Sequence, residues 1–190
     1  MTVDAPRQRS GYSHIWLAAS ALAIAAITLP IVFKGPPLVI WNASASVPIG
    51  LYVVRPGAQL QPGDLAVAQL SASVRSLAAE RQYLPVGVLL IKPVAATAGA
   101  EVCRYARRLF IDERWIADAK AADRRQRPLP QWSGCHRLNG DELFLANPRV
   151  ADSFDGRYFG PTSLQLVRGR AWPVLTFGSE PAPILPNPEK

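Results

Sequence analysis

With 190 residues, 49% of them apolar and only 18% charged, the chain is large enough for one cored domain plus an appendage, but too apolar for an ordinary soluble globule. A net charge of +7 leaves nucleic acid and anionic membrane surfaces open as partners. Two cysteines and two histidines, never at metal-ligand spacing, argue against a structural zinc site.

Much of the apolar excess lies at the N-terminus. Arg7 and Arg9 precede an uncharged 19-residue run from Ile15 to Phe33, and Lys34 follows it. As a helix this run is about 28 Å long at ~1.5 Å per residue, against a hydrocarbon core of about 30 Å. It is alanine-rich and carries Ser20, Thr28 and Pro30, so it reads as a weakly hydrophobic transmembrane anchor over 15–33. The basic flank puts residues 1–14 in the cytoplasm and the remainder outside. A cleaved signal peptide is the competing reading, with Ala21-Leu22-Ala23 or Ala23-Ile24-Ala25 as the site. Cleavage there leaves the apolar stub ITLPIVF at the new terminus, which favours a retained anchor.

Gly35, Pro36 and Pro37 break the helix and open a domain spanning 35–177. LVIW (38–41) reads as a short buried strand that delivers the stretch NASASVPIGLY, from Asn42 to Tyr52. Pro48 and Gly50 stop a strand from running smoothly through it, so the chain is expected to turn sharply and expose Ser46. An exposed hydroxyl on a turn is what a nucleophilic serine needs; an ordinary surface turn is the other reading. LYVVR (51–55) and DLAVAQL (64–70) read as strands, and Ser71 to Leu84 as a helix capped by Ser73 and ended by Pro85.

VGVLLIKPVA (86–95) is then an apolar run with one charge in it, Lys92. A lysine there either snorkels from an edge strand or is buried. Burial lowers its pKa from ~10.4 toward 7–8 and yields a neutral amine able to act as a general base. The histidines compete poorly for that role: His14 lies on the wrong side of the anchor, and His136 adjoins a cysteine.

Cys103 and Cys135 lie 32 positions apart. Outside the cytoplasm they read as a disulfide contributing roughly 3–4 kcal/mol, otherwise as two reduced buried thiols. RYARRLFIDERWIAD between them resembles a hairpin with Asp112 and Glu113 at its turn. Eight basic and four acidic residues from Arg104 to Arg127, with no interleaved aromatic platform to mark a nucleic-acid surface, read as a solvated face, and no nucleic-acid partner is expected. ELFLAN (142–147) is a strand into a turn, and ADSFDGRYFGP (151–161) packs charges beside aromatics, as site-lining loops do. Its bland alternative is a self-paired Asp155–Arg157 loop. SLQLVRGRAWPVLTF (163–177) supplies one or two closing strands, and the proline-rich residues 178–190 read as a disordered tail.

Taken in order, the Ser46 turn, GDLAV (63–67), Lys92 in LLIKPVA and SFDGRYFG (153–160) resemble the boxes of the type I signal peptidase superfamily of Ser-Lys proteases. The match looks best with its conjugal-transfer, TraF-type branch, over about residues 35–175. The resemblance implies a mostly β, signal-peptidase-type fold with one or two short helices, preceded by one N-terminal transmembrane helix. By position it implies Ser46 as nucleophile, Lys92 as general base and Ser44 as an oxyanion-hole donor, worth ~3–4 kcal/mol of transition-state stabilisation. Ser153 and Asp155 then orient the lysine amine, with Arg157 supporting their loop. There are departures: Val47 and Pro48 replace a Met and a later Pro of general signal peptidases, Pro93 follows the lysine instead of Arg, and Gly156 stands for Ser.

The function this implies is a membrane-anchored serine endopeptidase, catalytic in the periplasm, that matures a conjugative pilin precursor with or without joining its ends. Partners are that precursor, the inner membrane and other conjugation-apparatus proteins. No metal or organic cofactor is required. A general signal peptidase and a non-catalytic component of a conjugation or secretion channel are the alternatives.

Overall fold

The computed structural model describes residues 11–32 and 39–178. The chain divides into two compact units, Met1–Pro36 and Pro37–Lys190. In the first, α1 (Gly11–Val32) is one helix over the apolar run. The Thr28 hydroxyl donates to the Ile24 carbonyl at 2.8 Å, so that polar group is satisfied within its own helix. Among the described residues no helix is long and apolar enough to cross a membrane. The expected span over 15–33 therefore meets a helix, with alanines and hydroxyl residues diluting its hydropathy. The expectations placed on residues 1–10, on the break at 35–37 and on the tail from 179 lie outside the described residues.

The second unit is mostly β. Its first pair, β1 (Val39–Asn42) and β2 (Ile49–Arg55), brackets the serine turn. Next come β3 (Leu65–Ala68), helix α2 (Ala72–Glu80) and β4 (Leu90–Ala96). A meander follows of β5 (Glu101–Tyr105), β6 (Arg108–Ile111) and β7 (Arg114–Asp118), then β8 (Gly134–Arg137) and β9 (Glu142–Leu145). One helical turn, α3 (Gly156–Phe159), precedes β10 (Thr162–Ser163) and the long β11 (Val167–Phe177). These strands form a seven-stranded antiparallel sheet, ordered β1-β2-β11-β3-β4-β9-β10, and a four-stranded one, β7-β6-β5-β8.

Three local causes position the site. Strand β11 lies so close to β2 that a Cβ at Gly50 would stand 2.0 Å from the Leu175 carbonyl oxygen, so only glycine fits there. Strand β4 runs between β3 and β9 with every residue buried, which places Lys92 mid-sheet and removes the edge-strand reading. Its cross-strand partner is Ala66, a side chain small enough to leave room for the lysine stem. In the smaller sheet Asp112 and Glu113 adopt φ of 47° and 65°, the left-handed pair of a tight hairpin, at the expected turn. Val102, Leu109 and Ile111 of that sheet pack on Ala95, Ala96 and Phe144 of the larger one.

Two expectations fail locally. The strand at 38–41 is not buried: β1 is a sheet edge, with Val39 and Trp41 more than half exposed. An apolar run shows that a strand is favoured, not that anything covers it. Helix α2 is shorter than 71–84 and starts after Ser71 rather than Ser73, because Gln82 at φ +61° breaks it before Pro85 is reached.

Candidate active site

The turn between β1 and β2 is built by Asn42. Its carboxamide nitrogen donates to the carbonyls of Ser44 (2.8 Å), Val47 (3.1 Å) and Pro48 (3.0 Å), and its oxygen accepts from the Ser44 N–H. The Tyr52 hydroxyl adds a bond to the Pro48 carbonyl at 2.7 Å. So tied, the turn faces inward. Ser46 is 7% exposed, whereas Ala43, Ser44 and Ala45 stand in solvent. The sequence expectation of an exposed Ser46 is therefore wrong, because turn signals locate a bend without saying which way it faces. The Ser44 and Ser46 hydroxyl oxygens are 2.7 Å apart, and the Ser46 N–H points at the Ser44 hydroxyl oxygen at 3.4 Å. The Ser44 hydroxyl thus lies between the Ser46 hydroxyl and the Ser46 N–H, close to both.

Lys92 is 6% exposed and donates to the Ser153 hydroxyl at 2.8 Å. Close by, Asp155 and Arg157 form a buried ion pair, 2.9 Å from Nε to carboxylate, with side chains 0% and 1% exposed. Arg157 also donates to the carbonyls of Asn147, Val150 and Ser153, so one guanidinium ties the 147–157 loop together. Arg104, itself buried, donates to the Arg157 carbonyl at 2.6 Å. The self-paired Asp155–Arg157 loop read as the bland alternative is therefore present, but buried and tied to the loop carbonyls rather than exposed. Asp155 is engaged by Arg157, which leaves Lys92 without a counter-ion of its own. Burial lowers its pKa from 10.5 to about 8, the Asp155 carboxylate draws it back up, and the Arg157 guanidinium pushes it down.

Ser44, Ser46, Lys92 and Ser153 all line one cleft of about 1010 Å³. Among the described residues no hydrogen bond joins Ser46 Oγ to Lys92 Nζ. Catalytic hydrogen bonds commonly close only around substrate.

The family model for signal peptidase, peptidase S26, matches residues 12–175. The chain belongs to the S26 signal peptidase family. Two plasmid transfer proteins TraF of Escherichia coli are 28% and 30% identical to it, each match covering 72% of this chain and 82% of the relative. A crystal structure of a signal peptidase I from Enterococcus faecalis V583 is 16% identical and covers 60% of this chain and 97% of that one, with a TM-score of 0.35. The resemblance read from short motifs to a TraF-type S26 peptidase stands on the first two findings.

Within this S26 peptidase the residues singled out from sequence fall into two places. Ser44, Ser46, Lys92, Ser153, Asp155 and Arg157 gather at the cleft and its supporting loop. Cys103 and Cys135 lie opposite one another on β5 and β8 and form a disulfide. They do not line the cleft. Glu101 completes a three-donor group with them, yet the sulfurs are bonded to each other, so the group is not a metal-ligand set. His136 is half-exposed on β8 and paired with Glu142 at 2.7 Å, away from the cleft lining.

Sequence reasoning missed Asn147 and gave Asn42 no role. The Asn147 carboxamide donates to the Ser46 carbonyl at 2.6 Å, its N–H donates to Asp155 Oδ2 at 3.0 Å, and its carbonyl accepts from Arg157. It is the direct bridge between the serine turn and the ion pair. From sequence its signal was only an asparagine ending a strand, which ordinarily marks a turn.

Proposed function

We propose that the protein is a membrane-anchored serine endopeptidase working through a Ser46–Lys92 dyad, with its catalytic domain in the periplasm, and that it matures a conjugative pilin precursor. The observation that carries the reading is Lys92: a mid-sheet lysine with its pKa lowered to about 8, opening on the same cleft as Ser46. Neutral Lys92 takes the Ser46 proton as Ser46 Oγ attacks the scissile carbonyl. The oxyanion forms against the Ser44 hydroxyl and the Ser46 N–H, which lie 3.4 Å apart and turn from each other to the substrate oxygen. Lys92 then protonates the leaving amine, and an ester remains on Ser46. Water releases a linear product; the amino terminus of the same chain, attacking in its place, closes a ring.

Conjugation enters through the two plasmid transfer proteins to which the chain is similar. The anchor and the periplasmic side are supported by the uncharged run within α1, by Arg7 and Arg9 before it and Lys34 after it, and by the disulfide. The test is processing of the pilin precursor in membranes holding wild type, Ser46→Ala or Lys92→Ala, read by product mass. Trimming by wild type alone supports the dyad, and a product lighter by one further water marks ring closure. Processing by the Lys92 variant would overturn the base assignment.

A further inference from the structure

Away from Ser46, the same cleft has a lobe lined by residues just past α2, in the 119–129 loop and over 149–153. Six cations line it: Arg81, Lys120, Arg124, Arg125, Arg127 and Arg149. Among the described residues only two carboxylates line it with them, and both are already engaged. Asp123 accepts from Tyr83 Oη, from the N–H groups of Arg125 and Arg127, and from Arg127 Nε, which makes it the strap of its own loop. Asp152 is shared by Lys120 and Arg124, and these two bonds hold its carboxyl below the usual range, so it stays ionised. The excess is positive: Arg125 stands exposed, and Arg124, though bonded to Asp152, keeps most of its side chain in solvent. A cleft lined by one sign of charge concentrates field and draws in the opposite charge.

We propose that this lobe is a subsite for acidic residues of the polypeptide substrate, a few positions from the scissile bond. The inference rests on the peptidase reading above. Two features favour a peptide over a lipid surface. The lobe is continuous with the cleft holding Ser46, and Asp152 directly precedes Ser153, the hydrogen-bond partner of Lys92. The rings of Tyr83, Phe154 and Tyr158 line the same cleft, with Phe154 stacked on Tyr158 at 5.7 Å, and offer apolar surface to an extended chain.

Binding can be read without turnover. The full chain carrying Ser46→Ala, in detergent micelles, is titrated into a fluorescein-labelled peptide of alternating Glu and Ala, with Gln in place of Glu as control. Fluorescence anisotropy is expected to show the acidic peptide bound about tenfold more tightly at low salt, the gap closing as salt screens it. Arg124→Glu/Arg125→Glu removes the preference, and Arg124→Lys/Arg125→Lys keeps most of it, with melting curves confirming that both variants fold. Equal binding of the two peptides, or a preference untouched by charge reversal, would overturn the proposal. So would a reversal variant that loses phosphatidylglycerol vesicles but keeps the acidic peptide, since that makes the lobe a lipid surface. Failure of the Ser-Lys reading shows separately, as processing that survives Ser46→Ala.

Discussion

The two sheets of the second unit are held by opposite means. Around β4 and the 147–157 loop the larger sheet buries Lys92, Asp155 and Arg157, and among the described residues no buried side-chain nitrogen or oxygen lacks a hydrogen-bond partner. The smaller sheet buries little on its outer strands, β8 being exposed throughout, and carries the Cys103–Cys135 cross-link instead. A disulfide stabilises chiefly by restricting the unfolded chain and asks little of its surroundings. A buried polar network asks for every partner in place, and a buried ion pair gives weak net stability in return. Its presence beside the cleft is better explained by what it does to Lys92 than by what it adds to the fold.

The sharpest way to break this comparison is Lys92→Met. Processing activity is expected to fall by about four orders of magnitude, the upper range for loss of a general base. Stability should move the other way. The folded pKa of Lys92 is below its unfolded value, so the protonated lysine costs stability below pH 8, and the cost fades as pH rises from about 8 to 10.5. At neutral pH, methionine relieves that cost, and differential scanning calorimetry should show a melting temperature raised by several degrees. In the wild type the same pKa predicts kcat/KM rising about tenfold per pH unit and levelling above pH 8. A pH-independent rate would remove Lys92 from the chemistry.

Arg157→Ala tests the network from the opposite side. It leaves the Asp155 carboxylate buried and unpaired and frees three loop carbonyls, so urea unfolding should show a loss of about 3–5 kcal/mol. Activity should fall with it even at temperatures where the variant is folded. The matching experiment in the smaller sheet is Cys103→Ser with Cys135→Ser. It is expected to cost roughly 3–4 kcal/mol, yet to leave kcat/KM within about twofold wherever the chain is folded. Comparable stability losses with unlike effects on activity would establish the division of labour. A disulfide variant that loses activity while folded would show instead that the small sheet positions the site.

What could be read from sequence follows the same division. Mostly β architecture was legible in short apolar runs punctuated by glycine and proline, and Lys92 was legible as one charge inside such a run. The Asp112-Glu113 turn was legible because a hairpin is local. Direction and covering were not. The inward face of the Ser46 turn depends on Asn147, 101 positions away, and the exposure of β1 on its edge position, with no strand beyond it among the described residues. The fixing of Asp155 by Arg157 was suspected from their spacing, but its burial comes from Arg104 and the loop carbonyls, which no local pattern reports.

Asn147 gives the finest test, because it touches both sides of the site without carrying charge. Asn147→Ala removes the 2.6 Å bond to the Ser46 carbonyl and leaves Lys92, Ser153 and the ion pair chemically intact. The Arg149 N–H also loses its bond to Asn147 Oδ1, and losing the buried bond to Ser46 alone costs about 1–3 kcal/mol. If that bond aims the Ser46 N–H and hydroxyl, the loss should appear in kcat, about tenfold to a hundredfold, with KM nearly unchanged. The rise of activity toward pH 8 should not move, since nothing that sets the Lys92 pKa has changed. A shifted pH profile would mean that Asn147 acts through Asp155 and the lysine, and that turn and network are one device rather than two joined by a bridge.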